Sequence, residues 1–193
     1  MTLGSHQQTI GRSQVHLTPR FILDALGPFD LDPCAATVRP WDCATRNYVE
    51  AEDGLSLPWS GRVWLNPPFD SRVAGRWVSR LAEHGDGVLL IHARTETRWF
   101  SVVWEHASAI LFLGKRVKFC RPDGEVQPWC SGAPVVLAAF GKRNAEVLAT
   151  CGLSGVLVNE WRSQAPSPAC AAALEAEGRG RAAGLFDMLE AVE

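Results

Sequence analysis

Residues 62–69 read Arg62-Val63-Trp64-Leu65-Asn66-Pro67-Pro68-Phe69, and this octet decides how the rest of the chain is read. Its first half is β-rich and apolar. Its second half cannot continue a strand, because two consecutive prolines remove two donors from any ladder. A strand therefore ends at Leu65 and hands the chain to a stiff loop. In open α/β sheets, ligands are met beyond the carboxyl ends of strands, where such a loop lies.

Working outward, residues 71–84 (SRVAGRWVSRLAEH) space Val73, Trp77, Val78 and Leu81 at helical intervals. Residues 87–91 (GVLLI) form a continuous apolar run, the pattern of a strand buried on both faces. Residues 95–106, with Trp99, Phe100, Val103 and Trp104, read as a second helix. Strands follow at 109–113, 117–119 and 134–140, the last two joined by the turn Arg121-Pro122-Asp123-Gly124 and therefore antiparallel. On the other side of the octet, Phe29-Asp30-Leu31-Asp32 reads as a short strand running into the turn Pro33-Cys34-Ala35-Ala36. Before it, RFILDAL is a helix with Thr18 as N-cap and Pro19 in the first helical position, stopped by Gly27-Pro28. Residues 37–60 have little periodicity and many turn formers. Helices alternating with apolar strands imply an α/β protein, a three-layer αβα sandwich with a mainly parallel sheet and an antiparallel last strand.

The chain of 193 residues is long enough for one substantial core. Residues 1–17 are polar and expected to be irregular, with no apolar segment of the secretory kind. From Gln164 the chain is rich in Ala, Pro, Gly and Glu, and reads as a linker followed by a helix over 183–192. The expected division is a domain over 1–163 and a tail over 164–193. No apolar run is long enough to cross a bilayer, which points to a soluble, cytoplasmic protein without a membrane partner. Oligomeric state is not written in the sequence, a monomer being favoured over an assembly. The six cysteines form no CxxC pair and read as reduced, mostly buried thiols. A zinc site from Cys34, Cys43, Cys120 and Cys130 lacks any usual ligand spacing, and the five histidines make no metal constellation. His16 precedes Thr18-Pro19 but is given no role.

The net charge of −2 is unevenly spread. Residues 164–193 hold Arg179 and Arg181 against five carboxylates, so the body is slightly positive. Within it, 92–121 carries Arg94, Arg98, Lys115, Arg116, Lys118 and Arg121 against only Glu96 and Glu105. Such a cluster is suited to phosphates, although a solvated face looks the same in sequence.

The four residues 66–69 suit one difficult reaction. Methylating an aryl amine requires the nitrogen lone pair to leave conjugation and point at an electrophilic methyl group. An asparagine oxygen and a nearby backbone carbonyl can accept the two N–H bonds and steer that lone pair. Prolines hold the carbonyl still, and an aromatic face stacks on the base. This is catalysis by positioning and fixed dipoles, with no strong general base. In a duplex the base must first be flipped out.

The octet does not stand alone. Thr18-Pro19, the segment Phe29-Asp30-Leu31-Asp32-Pro33-Cys34-Ala35, Asp53-Gly54-Leu55 with Trp59, and Trp64 to Phe69 occur in one order. Arg94-Thr95-x-Thr97-x-Trp99-Phe100, Gly114 to Phe119 and the closing strand through Phe140 follow. Over about 18–141 the chain resembles the phage-encoded, Dam-like DNA adenine-N6 methyltransferases. The resemblance implies a Rossmann-like fold, S-adenosylmethionine as methyl donor, double-stranded DNA as partner and a bacterial cytoplasm, of phage or prophage origin, as setting. It assigns catalysis to Asn66, Pro67, Pro68 and Phe69. It assigns the cofactor to Thr18, Pro19, Asp30, Asp32, Pro33, Cys34 and Ala35, with Asp53 as the later acid facing the cofactor's adenine. The FxGxG loop typical of the wider superfamily is absent, and Leu31-Asp32-Pro33-Cys34-Ala35 stands in its place.

DNA contacts fall to Arg94 and Arg98 beside the next strand's exit, and to Arg116 and Lys118, which share one face of a short extended run. Trp99 either stacks near a flipped base or fills the helix core with Val103. Two other classes remain open: a methyltransferase acting on RNA or on a protein glutamine, and a non-catalytic DNA-binding relative that needs no cofactor.

Overall fold

The structure, a computed structural model, describes residues 16–162 and, beyond them, Pro168, Cys170 and Ala172. The chain divides into two compact units, Met1–Glu160 and Trp161–Glu193. In the second, Pro168, Cys170 and Ala172 are helical, within the stretch read from sequence as a linker. The expectations for residues 1–15 and for a helix over 183–192 lie outside the described residues.

The first unit is built on one seven-stranded sheet. In chain order its strands are β1 (Leu31–Ala35), β2 (Arg46–Val49), β3 (Val63–Leu65), β4 (Gly87–His92), β5 (Ala109–Leu113), β6 (Val135–Phe140) and β7 (Gly155–Val158). In space the order is β2-β1-β3-β4-β6-β5-β7. β1, β2, β3 and β4 pair in parallel, and β6 lies antiparallel to both β4 and β5. β7 pairs antiparallel to β5 at the edge. Five strands thus run one way and two the other, where one antiparallel strand is expected from the sequence. β7 escaped notice because its pattern is half exposed and short.

Strand alternation splits the side chains between two faces. Trp64, Val88, Leu90, Leu111 and Leu137 point to a core closed by Ile22, Leu23 and Leu26 of helix α1 (Arg20–Leu26) and by Leu148 of helix α4 (Lys142–Thr150). The alternate set, Val63, Leu65, Leu89 and Ile91, is equally buried. That face carries helix α2 (Ser71–His84), whose Leu81 lies where a side chain on Gly87 would have to go. Helix α3 (Arg98–His106) packs on α2. Three layers result, as the alternation of elements predicts. Among the described residues no helix is long and apolar enough to cross a membrane.

Four local readings need correction. The N-cap of α1 is Pro19, not Thr18, and no side chain caps it; the Thr18 hydroxyl is turned elsewhere. Residues 117–119 form no ladder strand. The chain there is extended and makes only isolated bridges at Cys120, to Leu17 and to Val126. The turn at Arg121–Gly124 does close, with Gly124 N–H donating to the Arg121 carbonyl at 2.9 Å, but it returns the chain to Val126 rather than to β6. All six cysteines are free thiols, yet only Cys120 is buried; Cys130 and Cys170 are exposed.

The amino end of the sheet is tied by a buried polar network. Arg62, 3% exposed, donates through Nε to Asn144 Oδ1 at 2.6 Å and through Nη1 to the carbonyls of Leu26 and Pro28. Asn144 Nδ2 donates in turn to Asp86 Oδ1 and to the Phe140 carbonyl, each at 2.7 Å. The Arg62 guanidinium also lies 4.3 Å over the Phe29 ring. One nitrogen, Nη2, has no partner. Burial is the main reason the Arg62 pKa is lowered, with Arg143 nearby adding to it.

Candidate active site

Within the parallel part of the sheet the strand order reverses at β1. From β1 the chain moves outward to β2, then returns to the other side of β1 to lay down β3. The loops leaving β1 and β3 therefore part in opposite directions and leave a crevice at their carboxyl ends. The strands diverge early there: β1 and β3 are in register only at Leu31↔Val63. On its other side β1 pairs with β2 at Leu31 and Asp32, then shifts register before Ala35. Pro33, which has no N–H to give, lies inside that shift. The opening thus lies between residues 32–35 and residues 66–69.

Asn66 stands at the mouth of this opening, half-buried, directly after β3. Its Nδ2 donates to the His16 carbonyl at 2.8 Å and to Thr18 Oγ1 at 3.2 Å. A carbonyl can only accept, so these contacts fix which end of the amide faces inward. Oδ1 is left as an acceptor with no donor among the described residues. Thr18, 1% exposed, is thereby a support for Asn66 rather than a helix cap. His16 and Leu17 are held in place from behind. Leu17 exchanges two backbone hydrogen bonds with Cys120, at 2.9 and 3.0 Å, and Gln127 Nε2 lies 3.4 Å from His16 Nδ1. Gln127 is 5% exposed. Neither His16 nor Gln127 is marked by its sequence context; both matter because a distant extended segment folds over the strand ends.

Pro67 is buried and Pro68 exposed. Phe69 joins an aromatic cluster: His92 stacks on it at 4.1 Å between ring centroids, and Phe119 and His16 lie at 5.7 and 6.2 Å. Burial, with Arg94, His16 and Arg116 adding to it, pushes the His92 pKa down to about 4. Burial also lowers that of His16. Both rings are neutral at ordinary pH, so the cluster is an uncharged wall.

On the other side of the opening, Asp32 is 4% exposed and accepts from Cys34 N–H at 3.0 Å. Among the described residues it makes no ion pair. Burial pushes its pKa up to about 7, against the pull of the Cys34 N–H, the Cys43 thiol and Arg39. Burial, then Asp32 and Glu50, push the Cys34 thiol up to about 12, so it stays protonated and is no nucleophile. Gly54 abuts β1 so closely that a Cβ there would lie 2.0 Å from the Pro33 carbonyl oxygen. Only glycine fits. Asp53, exposed and in a left-handed turn at φ 50°, is thus brought beside Pro33. Glu50, the first residue after β2, reaches the same rim and was missed, because only Tyr48 of the strand before it is buried and no alternation marks it.

Two assignments do not survive folding. Asp30 precedes β1 at its amino end, where Oδ2 accepts from Arg62 N–H at 2.7 Å, so it is remote from the crevice. Trp99 is 7% exposed and packs with Phe100 against Gly75, leaving no face for a base. Its helix-core alternative is the correct one. Arg94, Arg98, Arg116 and Lys118 are all exposed, with Val117 and Phe119 buried between and beyond the last two. Arg94 and Arg116 lie near enough to His92 to act on its charge, which puts them at the rim of the aromatic cluster. Among the described residues no group of three or more His, Cys, Asp or Glu is arranged to hold a metal ion.

An open α/β sheet whose order reverses beside an Asn-Pro-Pro-aromatic loop belongs to the class that meets ligands at the carboxyl ends of its strands. The family is narrower still. Residues 13–146 match the model of the DNA N-6-adenine-methyltransferase (Dam) family, well over half of the chain, and the chain belongs to that family. No curated protein and no solved structure is detectably similar to it.

Proposed function

We propose that this chain folds as a Rossmann-like, S-adenosylmethionine-dependent enzyme and methylates the N6 amine of an adenine flipped out of double-stranded DNA. The observation that carries the reading is the fixed amide of Asn66. Its nitrogen is occupied by His16 and Thr18, so Oδ1 alone is offered to an incoming N–H. The Pro67 carbonyl, stiffened on both sides, is the second acceptor. Together they draw the amine hydrogens out of the plane of the purine ring, so that the lone pair leaves conjugation and points across the crevice. Phe69 supplies the stacking face, and the neutral wall around it excludes water without placing a positive charge against the base.

The opposite side of the crevice fits a sulfonium cofactor on structural grounds. Asp32 is a buried carboxylate lacking a cation, and a cationic ligand would relieve the cost of its ionisation. Thr18, Pro19, Pro33, Cys34 and Ala35 line the approach. Glu50 and Asp53, on the rim of the neighbouring strand, are suited to the ribose hydroxyls or the exocyclic amine of the cofactor, as acids after the second strand of such sheets are. When bound, S-adenosylmethionine supplies the electrophilic methyl carbon. DNA contacts fall to Arg94, Arg116 and Lys118 around the mouth, and to Arg98. A cation at the first position of α3 opposes the helix dipole, and a phosphate there would relieve both.

A labelled methyl-transfer assay offering DNA, RNA and a release-factor-like protein tests the reading, with sequencing of methylated bases locating the product. Transfer to adenine in DNA alone is expected. Transfer to RNA or protein redirects the same site to another planar nitrogen. DNA binding without any calorimetric signal for S-adenosylmethionine would leave only a non-catalytic DNA-binding protein.

A further inference from the structure

His92 is the last residue of β4, and by strand alternation it ends the same sheet face as Leu90 and, on β3, as Trp64 and Asn66. Its ring lies 4.1 Å from that of Phe69, with the planes 28° apart, within stacking distance. The other ring neighbours of Phe69 are farther: Phe119 at 5.7 Å is tilted by 55°, and His16, nearly parallel at 20°, has its centroid 6.2 Å away. Phe69 itself is only half-buried. The His92 imidazole therefore backs the ring at the shortest distance of the three, while part of the ring stays open. We propose that His92 is a positioning residue, a flat backing that fixes the Phe69 ring so that its opposite face receives the extruded purine.

The need for such a backing is physical. Phe69 follows two prolines and precedes Asp70, the N-cap of α2, so its backbone is constrained while its χ angles are not. A ring free to rotate about χ1 would lose entropy each time a base stacked on it; a ring already clamped loses none. A planar neutral partner clamps without filling the space that the base will take, and burial first, then the guanidinium groups of Arg94 and Arg116, disfavour a charged imidazole there. The inference rests on Phe69 as the base-stacking face, so its test separates the two ideas.

Two variants of the full chain suffice: His92→Phe keeps a flat ring, and His92→Leu keeps apolar bulk without one. A duplex bearing the mapped site, with 2-aminopurine in place of the target adenine, reports extrusion by its rise in fluorescence. An all-adenine duplex reports kcat and KM. His92→Leu is expected to lower both the fluorescence gain and kcat/KM about five- to tenfold, in keeping with the worth of an aromatic pair. Its affinity for S-adenosylmethionine and its melting temperature should stay near wild type, and His92→Phe should restore the loss. Equal or better extrusion by His92→Leu would overturn the proposal, because the imidazole would then be occupying the slot of the base. A His92→Phe enzyme as poor as His92→Leu would overturn it too, by making the imidazole's polarity the essential feature. A wild-type enzyme that methylates adenine but shows no fluorescence gain would remove the stacking role of Phe69, and the backing with it.

Discussion

The two ends of this sheet are built from similar materials and put them to opposite uses. At the amino end, Arg62, Asn144, Asp86 and Asp30 spend nearly all their hydrogen-bonding capacity on one another and on backbone carbonyls. At the carboxyl end, Asn66 spends its donors and keeps its acceptor. Asp32 there is buried with a backbone N–H and a thiol for company, while burial raises its pKa. A satisfied network rigidifies a fold, whereas an incompletely satisfied one is poised for a ligand. An asparagine can serve either end; what differs is how many of its atoms the fold has already claimed.

That contrast can be broken most sharply at Asn66. Replacing it with alanine should cut methyl transfer about 100- to 1000-fold, the loss typical of one missing fixed hydrogen-bonding partner. Affinity for S-adenosylmethionine should change little, and the melting temperature should fall only modestly, because the His16 carbonyl and the buried Thr18 hydroxyl each lose one partner. Steady-state kinetics beside calorimetry checks it, and full turnover would remove Asn66 from the chemistry.

At the opposite end the signature should invert. Arg62→Met keeps bulk but strands Asn144 Oδ1 and the Leu26 and Pro28 carbonyls, at a cost of about 3 kcal/mol of stability. Denaturant unfolding measures this, while turnover per folded molecule should be unchanged. An Arg62→Met protein that is stable but inactive would dissolve the division between the ends.

A milder change is expected at the rim. Removing Arg116 and Lys118 together should weaken DNA binding at low salt and flatten the salt dependence by about one phosphate contact for each residue. Affinity titrations at several ionic strengths give the slope. An unchanged slope would return these cations to the solvated face that sequence alone equally allows.

The last effect is set by pH and centres on Asp32. Its folded-state pKa of about 7 lies above the ordinary carboxylate value, so the native chain holds a proton that the unfolded chain releases between roughly pH 4 and 7. Ionised burial thus costs stability in full above pH 7, and the cost fades as pH falls toward 4. Asp32→Asn should raise the melting temperature at pH 8, raise it less at pH 6, and weaken S-adenosylmethionine binding at both. Thermal scans across pH with a parallel binding titration test the sign; a variant stabilised most at low pH would contradict it.

Much of the scaffold was legible before folding. The apolar runs at 63–65, 87–91, 109–113 and 135–140 are strands, and the helix over 71–84 is where its period puts it. The short strands β2 and β7 were not, because with few buried residues neither carries a clear alternation. Residues 117–119 misled for the opposite reason: they alternate as a strand does, but the burial comes from lying over the sheet rather than within it. The site divides in the same way. Asn66 to Phe69 and Asp32 to Ala35 stood out by local chemistry. Asp30 and Trp99 were drawn in by proximity along the chain and excluded by where their atoms lie.

What the sequence determined by itself is the run of strand, stiff loop and helix that presents Asn66 at a strand end, because proline chemistry and hydrophobic period are local properties. Only the tertiary structure decided that the His16 carbonyl and the Thr18 hydroxyl hold its amide, that His92 covers one face of Phe69, and that Glu50 shares the rim with Asp53. Those contacts join residues dozens of positions apart, and a hydrogen bond or ring stack between them leaves no trace in the spacing of either partner.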